Sequence, residues 1–355
     1  MMGQKKKIFK IGNIEINSER TFVVAEISAN HCGKLSLLKK IILKLKKINV
    51  DAIKIQAYEA NTITINSNNK DFQIKSNNTW SKYNTLYNLY KTAETPFKWY
   101  SEIFRFCKKN NIIVFASVFD SKSLDLLEKL NCPAYKIASP EITDIPLIEK
   151  VSKTKKPIII STGLSDFKDL KLAISAIKKQ KNNKIIVLKC TSAYPAPIEE
   201  INLKTMIDIR KKFDVLTGYS DHTEENYTAI HASSMGACMI ERHVKLENFK
   251  SVDSFFSSTI NNFKEMIKII RINEKSNGVI SYKISKSSKP NLNGRKSLYV
   301  VKNIKKGEIF SETNIRSIRP SFGLHPKFLK FFLKKKSSKN IRFGTRLEWS
   351  HIKKI

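Results

Sequence analysis

The chain has 355 residues, 41% of them hydrophobic and twenty of them Phe, and its 65 Lys and Arg against 31 Asp and Glu give a formal charge of +34. That apolar fraction fills a core and excludes a disordered polar chain, while a basic excess spread along the whole length, not gathered beside aromatics, argues against a nucleic-acid partner. No apolar run reaches bilayer length and Cys32, Cys107, Cys132, Cys190 and Cys238 form no CxxC pair, so the expectation is a cytoplasmic protein with reduced thiols and no membrane partner.

The N-terminal MMGQKKKIFKIG is basic but lacks an apolar core of signal-peptide length. Eight short β-rich apolar runs follow: FVVAEIS (22–28), AIKIQAY (52–58), IIVFASVF (112–119), AYKIAS (134–139), PIIIST (157–162), IIVLKCT (185–191), VLTGYSD (215–221) and CMIERHV (238–244). Between them lie amphipathic helical patterns. Leu35, Leu38, Ile41, Ile42, Leu45 and Ile48 share one face of the first, and FKWYSEIFRFCKKN, SLDLLEKL, DIPLIEKV and 166–178 read similarly. Eight strands alternating with helices predict an α/β fold, a (β/α)₈ TIM-type barrel. The competing doubly wound sheet requires a glycine-rich phosphate loop after an early strand, and the sequence has none.

The connection 59–95 is long and polar yet contains Trp80, Tyr83, Tyr87 and Tyr90, which predicts an ordered lid over the barrel mouth. The eighth helix is expected over 263–274. Beyond it the composition changes. The predicted organisation is a barrel domain over 1–280, a Ser- and Lys-rich linker over 281–294, and a small C-terminal domain over 295–355. That last piece is too short for a large core and is expected to dock on a barrel, its own or a partner's.

Several strands carry charge inside apolar runs: Glu26, Lys54, Lys136, Glu241 and His243. Burying such a group unpaired costs about several kcal/mol, so these groups are paired or face a polar pocket. Barrel active sites gather at the C-terminal strand ends. His222 follows strand seven, His243 ends strand eight and Glu26 ends strand one, which predicts one contiguous arc suited to a cation. Lys54, Ser117, Lys136 and Ser161 come from strands two to five and predict an opposite arc suited to a phosphate, with Ser139 and Ser220 as further hydroxyl donors. Two imidazoles on adjacent strand ends suit a divalent metal with open positions. Mn²⁺ is the first choice; Mg²⁺, Co²⁺, Zn²⁺ and Fe²⁺ are alternatives. A Schiff-base Lys54 or Lys136 is the competing reading, but it leaves the histidine pair unexplained. His31 either lines the pocket or caps a helix; His231, His325 and His351 have no such context.

These residues also carry a resemblance. AEISANHCG (25–33), DAIKIQ (51–56), YKIASPEITDIPLI (135–148), PIIISTG (157–163), LKCTSAYPAPIEEINL (188–203), GYSDHT (218–223) and IERHV (240–244) resemble the sialic acid synthase family, in order and spacing. The C-terminal RKSLYVVKNIKKGEIF and IRSIRPSFGL resemble that family's SAF, or antifreeze-like, domain. AEISANH, SPEITDIPLI, AYPAPIEE and SVDSFFS are most similar to the branch that makes pseudaminic acid; the N-acetylneuraminate and legionaminate branches are the alternative.

The resemblance implies condensation of phosphoenolpyruvate with an acetamido-deoxy hexose, 2,4-diacetamido-2,4,6-trideoxy-L-altrose, and water. It implies metal on His222 and His243, and phosphoenolpyruvate contacts from Lys54, Ser117, Lys136, Ser139, Ser161 and Ser220. Glu26 and Glu141 match groups that hold the sugar or move protons, and Asp253 a carboxylate near the aldehyde. Arg319 matches an arginine reaching the sugar across a domain-swapped homodimer. The sequence departs from the family pattern at Cys32, Val118, Arg242, Val244-Lys245 and Lys250-Ser251.

Overall fold

Each apolar run becomes a strand, trimmed at its ends where the chain turns into a loop. The computed structural model describes residues 8–352; most of the basic N-terminal stretch lies outside the described residues. The barrel strands are Phe22–Glu26, Ala52–Ala57, Ile113–Val118, Tyr135–Ile137, Ile158–Ser161, Ile185–Cys190, Leu216–Asp221 and Met239–Lys245. They pair in parallel in chain order, and strand eight returns to strand one in the register Met239–Phe22 through His243–Glu26. The sheet is closed, so no barrel edge is left unpaired.

Branched residues fill both faces of this barrel. Val23, Val24, Ile53, Ile55, Ile159, Ile160, Ile186 and Val187 are wholly buried. The first outer helix, Leu35–Lys47, buries Leu37, Leu38, Ile41, Ile42 and Leu45. The buried stripe is therefore rotated slightly from the expected one, with Leu35 and Ile48 only partly buried. Several helices start on an aspartate that accepts from their first turn. Asp120 takes the Ser123 N–H, Asp144 the Leu147 N–H, and Asp166 those of Lys168 and Asp169. Each such cap is worth about 1 kcal/mol, and each sits where a strand must hand over to its helix.

The sequence reading missed a hairpin and, in a connection it did expect to be ordered, the short helical pieces. An antiparallel hairpin, Phe9–Ile11 with Ile14–Ile16, buries Ile11 and Ile16 in the barrel core. It lies against the N-terminal end of strand three: at Gly12, φ +59°, a Cβ would meet Ile113 Cδ1 at 2.9 Å. The 59–95 connection is ordered by short helical pieces, Ala60–Ile63, Lys70–Phe72, Ser81–Tyr83 and Leu86–Ala93.

The chain divides into two compact units at Gly278/Val279. The second contains the antiparallel pair Ser297–Val300 with Ile315–Ile318 and its own small core of Leu298, Val300, Ile304, Phe310, Ile315, Phe332, Ile341 and Leu347. Within this unit a run of 3₁₀ turns, Lys286–Gly294, precedes the strand pair and buries nothing. All five cysteines are free thiols. No helix among the described residues is long and apolar enough to cross a membrane.

Gly218 tests how tightly strands seven and eight are packed. A Cβ there would lie 2.3 Å from the Met239 carbonyl oxygen and 2.8 Å from Leu188 Cδ2. Overpacking of this kind costs about 1–3 kcal/mol. Gly218→Ala is expected to lower the melting temperature by roughly 3–10 °C. Gly294→Ala, where a Cβ meets nothing within 4 Å, should leave it unchanged.

Candidate active site

Period-two alternation decides what enters the barrel. On strand eight it turns Glu241 and His243 one way and Arg242 the other. Glu241 meets strands two, four and seven: its Oε1 accepts from Ser220 Oγ at 3.1 Å and lies 3.5 Å from Lys54 Nζ and 3.9 Å from Lys136 Nζ. Lys54 Nζ is also 2.5 Å from Glu26 Oε2 and donates to Ser117 Oγ at 2.9 Å. Lys136 Nζ donates to Ser161 Oγ. All four charged groups are buried.

Their electrostatics follow from that crowding. Burial lifts the Glu26 carboxyl to about 7, against the opposing pull of Lys54. Burial works against the Lys54 ammonium, but Glu241 and Glu26 outweigh it and hold its pKa above the ordinary lysine value. Lys136, with less compensation, is pushed down by burial and by Lys54. Burial opposes ionisation of Glu241 too, yet Lys136, Lys54 and His222 keep it below the usual carboxylate range. Two ammoniums and two carboxylates thus share one dry volume.

The expected division into a cation arc and an anion arc needs correction. Glu26 is bound to Lys54 and not grouped with the histidines. Strand one neighbours strand two as well as strand eight, and its C-terminal residue is in register with both His243 and Lys54. Glu241, left without a role in the sequence reading, sits between the lysines. Its spacing of two from His243 was the available signal.

His222 and His243 do come together, with ring centroids 5.5 Å apart. His222 Nδ1 donates to the Thr191 carbonyl at 2.9 Å and has Cys190 Sγ at 3.8 Å, so Nε2 carries neither contact. Burial works against its charged form, but Cys190 and the Thr191 carbonyl outweigh that and raise its pKa. Burial, then His222 and the lysines, hold His243 well below the usual imidazole range, so it is neutral. Its Nδ1 is buried with no hydrogen-bond partner among the described residues. A neutral, orphaned imidazole nitrogen beside a second imidazole fits a divalent ion. The described residues contain no group of three or more His, Cys, Asp or Glu arranged to hold one, so the remaining positions fall to water or substrate.

Arg242, on the other face of strand eight, fixes the loop that carries His222. It pairs with Asp221 and donates to the carbonyls of Thr223, Glu224 and Glu225 at 2.6–2.7 Å. Asp221 also accepts from the Thr223 N–H and hydroxyl at 2.9 and 2.8 Å.

Of the other predicted residues, Glu141 interacts with Lys136 and Asp253 with His222. Glu141 follows strand four with Oε2 buried and unpartnered, and burial raises its carboxyl to about 7. Ser139 is buried and accepts from the Leu164 N–H; at Gly163 a Cβ would approach Ser139 Oγ to 3.0 Å and Ser192 Oγ to 2.0 Å. Asp253, in the loop after strand eight, accepts from Ser28 Oγ and from the Ala29 N–H, and burial raises its pKa. Arg319 is exposed on the second unit. His31 is packed away from any of these: Nε2 bonds Thr95 Oγ1 at 3.0 Å, Nδ1 accepts from the Gly33 N–H, and burial lowers its pKa to about 4.

The 59–95 connection reaches the site through Trp80, whose indole N–H donates to the Val252 carbonyl at 3.1 Å. Tyr194 and Phe256, which the sequence reading did not single out, lie on the imidazoles, Tyr194 4.5 Å from His222 and Phe256 4.7 Å from His243 between ring centroids.

Two outcomes test this geometry. Arg242→Ala leaves Asp221 as an uncompensated buried charge, which costs about 3–5 kcal/mol, and a matching loss of thermal stability is expected. Glu141 binds its proton more tightly folded than unfolded, so its contribution to stability is full below pH 4.5 and is lost as pH rises through about 7. Melting temperatures of wild type and Glu141→Gln should therefore diverge between pH 5 and 8, the wild type losing more.

Comparison with known proteins agrees with the fold. Residues 41–282 match the NeuB family. The pseudaminic acid synthase of Campylobacter jejuni subsp. jejuni serotype O:23/36 (strain 81-176) is 41% identical over 97% of this chain and 100% of its own. The pseudaminic acid synthase of Helicobacter pylori is 41% identical over 94% of this chain and 98% of its own. The crystal structure of the N-acetylneuraminic acid synthetase of Leptospira borgpetersenii, in complex with citrate, superposes with a TM-score of 0.70 at 27% identity, covering 81% of this chain and 95% of that one. The chain belongs to the NeuB family.

Proposed function

We propose that this chain condenses phosphoenolpyruvate with the open-chain form of 2,4-diacetamido-2,4,6-trideoxy-L-altrose and water, releasing pseudaminic acid and phosphate. The observation that carries the reading is one buried mouth holding two ammoniums beside hydroxyls, Lys54 with Ser117 and Lys136 with Ser161, together with a pair of imidazoles. The likeness to pseudaminic acid synthases supports the product, and with it the choice of sugar.

The phosphate and carboxylate of phosphoenolpyruvate lie against Lys54 and Lys136, with Ser117, Ser139, Ser161 and Ser220 donating hydroxyls. A divalent cation on His222 and His243, Mn²⁺ first with Mg²⁺ or Co²⁺ as substitutes, supplies Lewis-acid polarisation of the aldehyde oxygen. Carbon three of phosphoenolpyruvate forms a bond to the aldehyde carbon as the carbon two–carbon three double bond opens, and carbon two is left electron-poor. The aldehyde oxygen keeps the electron pair of its own opened double bond and takes a proton, replaced by one from the water that adds next. Water adds to carbon two, and a carboxylate takes its proton. Glu141 suits that role, with a pKa of about 7 and an unpartnered buried oxygen. The carbon–oxygen bond to phosphate then breaks, leaving the keto acid. Glu26 holds or moves a proton beside Lys54, and Asp253 orients the sugar near its aldehyde. Excluding bulk water around these groups strengthens each interaction.

The second unit is read as the SAF-type domain over 295–355, joined by the linker 281–294. Arg319 on it is read as serving the barrel of a second copy in a domain-swapped homodimer.

Three measurements decide this reading. Phosphate release should be fastest with the trideoxy altrose, abolished by chelation and restored by Mn²⁺; faster turnover of N-acetylmannosamine would replace the sugar assignment. Lys136→Met should raise KM for phosphoenolpyruvate by roughly 10–100-fold, the loss of a charge-assisted hydrogen bond. Mixing inactive Arg319→Ala and His222→Ala proteins should restore about a quarter of wild-type activity, because half of randomly paired C₂ dimers are mixed and each has one intact site. No recovery would exclude a site shared between copies.

A further inference from the structure

Above the imidazole pair the mouth is lined by aromatic rings in two tiers. Tyr194 and Phe256 form the lower tier, in contact with His222 and His243 and 4.7 Å from each other. Trp80 forms the upper tier with Phe255, 5.7 Å from Tyr194, 5.6 Å from Phe255 and 6.5 Å from Phe256. Trp80 comes from the long connection after strand two, and the phenylalanines from the loop that carries Asp253. The Trp80 indole N–H to the Val252 carbonyl joins those two segments next to Asp253. Phe256 is buried, whereas Trp80 is half-buried and Phe255 is 44% exposed at the rim. The same loop lines a cavity of about 440 Å³ together with Cys32, Gly33, Lys82 and Tyr83.

A packing role alone explains Phe256. It leaves open why an indole whose only hydrogen-bonding group is already taken stays partly exposed at the rim of that cluster. Tyr194 is more polar by composition, but its hydroxyl is engaged by the Ser192 side chain.

We infer that the Trp80, Tyr194 and Phe256 rings form the apolar wall of the sugar subsite and select an acceptor ending in a methyl group at carbon six. The inference rests on the synthase reading above. An open-chain hexose held by its aldehyde oxygen at the imidazoles runs outward past Tyr194 and Phe256 and brings its far carbons to Trp80. There a methyl group and the acetamido methyls contact aromatic faces. A hydroxymethyl group at the same place loses water and meets a wall whose indole N–H is committed to Val252 and whose phenol hydroxyl is engaged by Ser192. An apolar pocket rejects an added hydroxyl by on the order of 100-fold at most, so the wall makes a preference of roughly 10–100-fold.

The test uses two acceptors that differ only at carbon six, 2,4-diacetamido-2,4,6-trideoxy-altrose and its 6-hydroxy counterpart, with metal-loaded full-length protein. Wild type should favour the trideoxy sugar in kcat/KM by roughly 10–100-fold. Trp80→Ala should lose most of that ratio by losing activity on the trideoxy sugar, while KM for phosphoenolpyruvate moves less than about twofold. Trp80→Phe keeps an apolar ring but not the bond to Val252, and should keep the ratio. The inference is overturned if Trp80→Ala slows both sugars equally, or if Trp80→Phe behaves like Trp80→Ala, since either result assigns Trp80 to loop anchoring alone. Phe255→Ala at the rim gives the same readout, with a smaller loss of ratio, should Trp80→Ala not fold. Wild type that releases phosphate with neither sugar, but does so with N-acetylmannosamine, overturns the synthase's sugar assignment itself and is distinguished from the wall's failure before any variant is made.

Discussion

Four charges in a dry barrel must cancel, and most of the site's organisation follows from how they do so. Glu26, Lys54, Lys136 and Glu241 are all buried, and Glu241 Oε1 lies within 4 Å of both ammoniums. Removing any one leaves a neighbour unpaired in low dielectric, where the penalty exceeds that of exchanging the whole set for apolar residues. The set is therefore poor at stabilising the fold and suited to something else. The two carboxylates occupy the lysines that an anion would use. On the proposed reading a phosphate would compete with Glu241 and Glu26 for the same ammoniums, and Glu26, its pKa raised to about 7 by burial, would yield its charge most readily.

Strand eight shows how one short segment serves three purposes. Glu241 steadies the lysines, His243 meets His222, and Arg242 between them points outward to Asp221 and three carbonyls of the next loop. That outward network fixes the loop that begins with His222. The imidazole pair is thus set by a residue on the opposite face of the sheet from the chemistry. An arginine fork satisfies three carbonyls and a carboxylate at once; a lysine has neither the reach nor the geometry to do so. A departure from the family pattern that looks conservative in sequence carries a denser set of bonds here.

What was legible in the sequence was whatever depends on local period. Alternation in VVAEIS, AIKIQ and MIERHV announced charges that point into a barrel, and apolar residues recurring on one face announced the outer helices. What was not legible depends on register between strands and on contacts between distant segments. Whether Glu26 leans toward strand two or strand eight is set by barrel stagger, which no single strand encodes. Trp80 and Val252 meet across 172 residues, and only the folded chain makes that contact visible. The hairpin at Phe9–Ile16 was hidden because each of its strands is three residues long, too short for a period to register.

The contrast between site and surface resolves the excess of basic residues. The chain carries +34, yet the buried quartet sums to zero. A surface charge acts over about 8 Å at physiological salt, so exposed lysines raise the local concentration of any anion without choosing among them. Choice has to come from the neutral interior. There a simple halide gains two ammoniums only by separating them from carboxylates that remain buried, a poor exchange. A ligand with a carboxylate and a phosphate, able to take both lysines and the hydroxyls of Ser117 and Ser161 together, offsets that loss with several bonds at once. Diffuse attraction outside and a balanced, fully committed set of charges inside are therefore complementary: the first gathers anions, and the second admits only those with enough acceptors to replace what they displace.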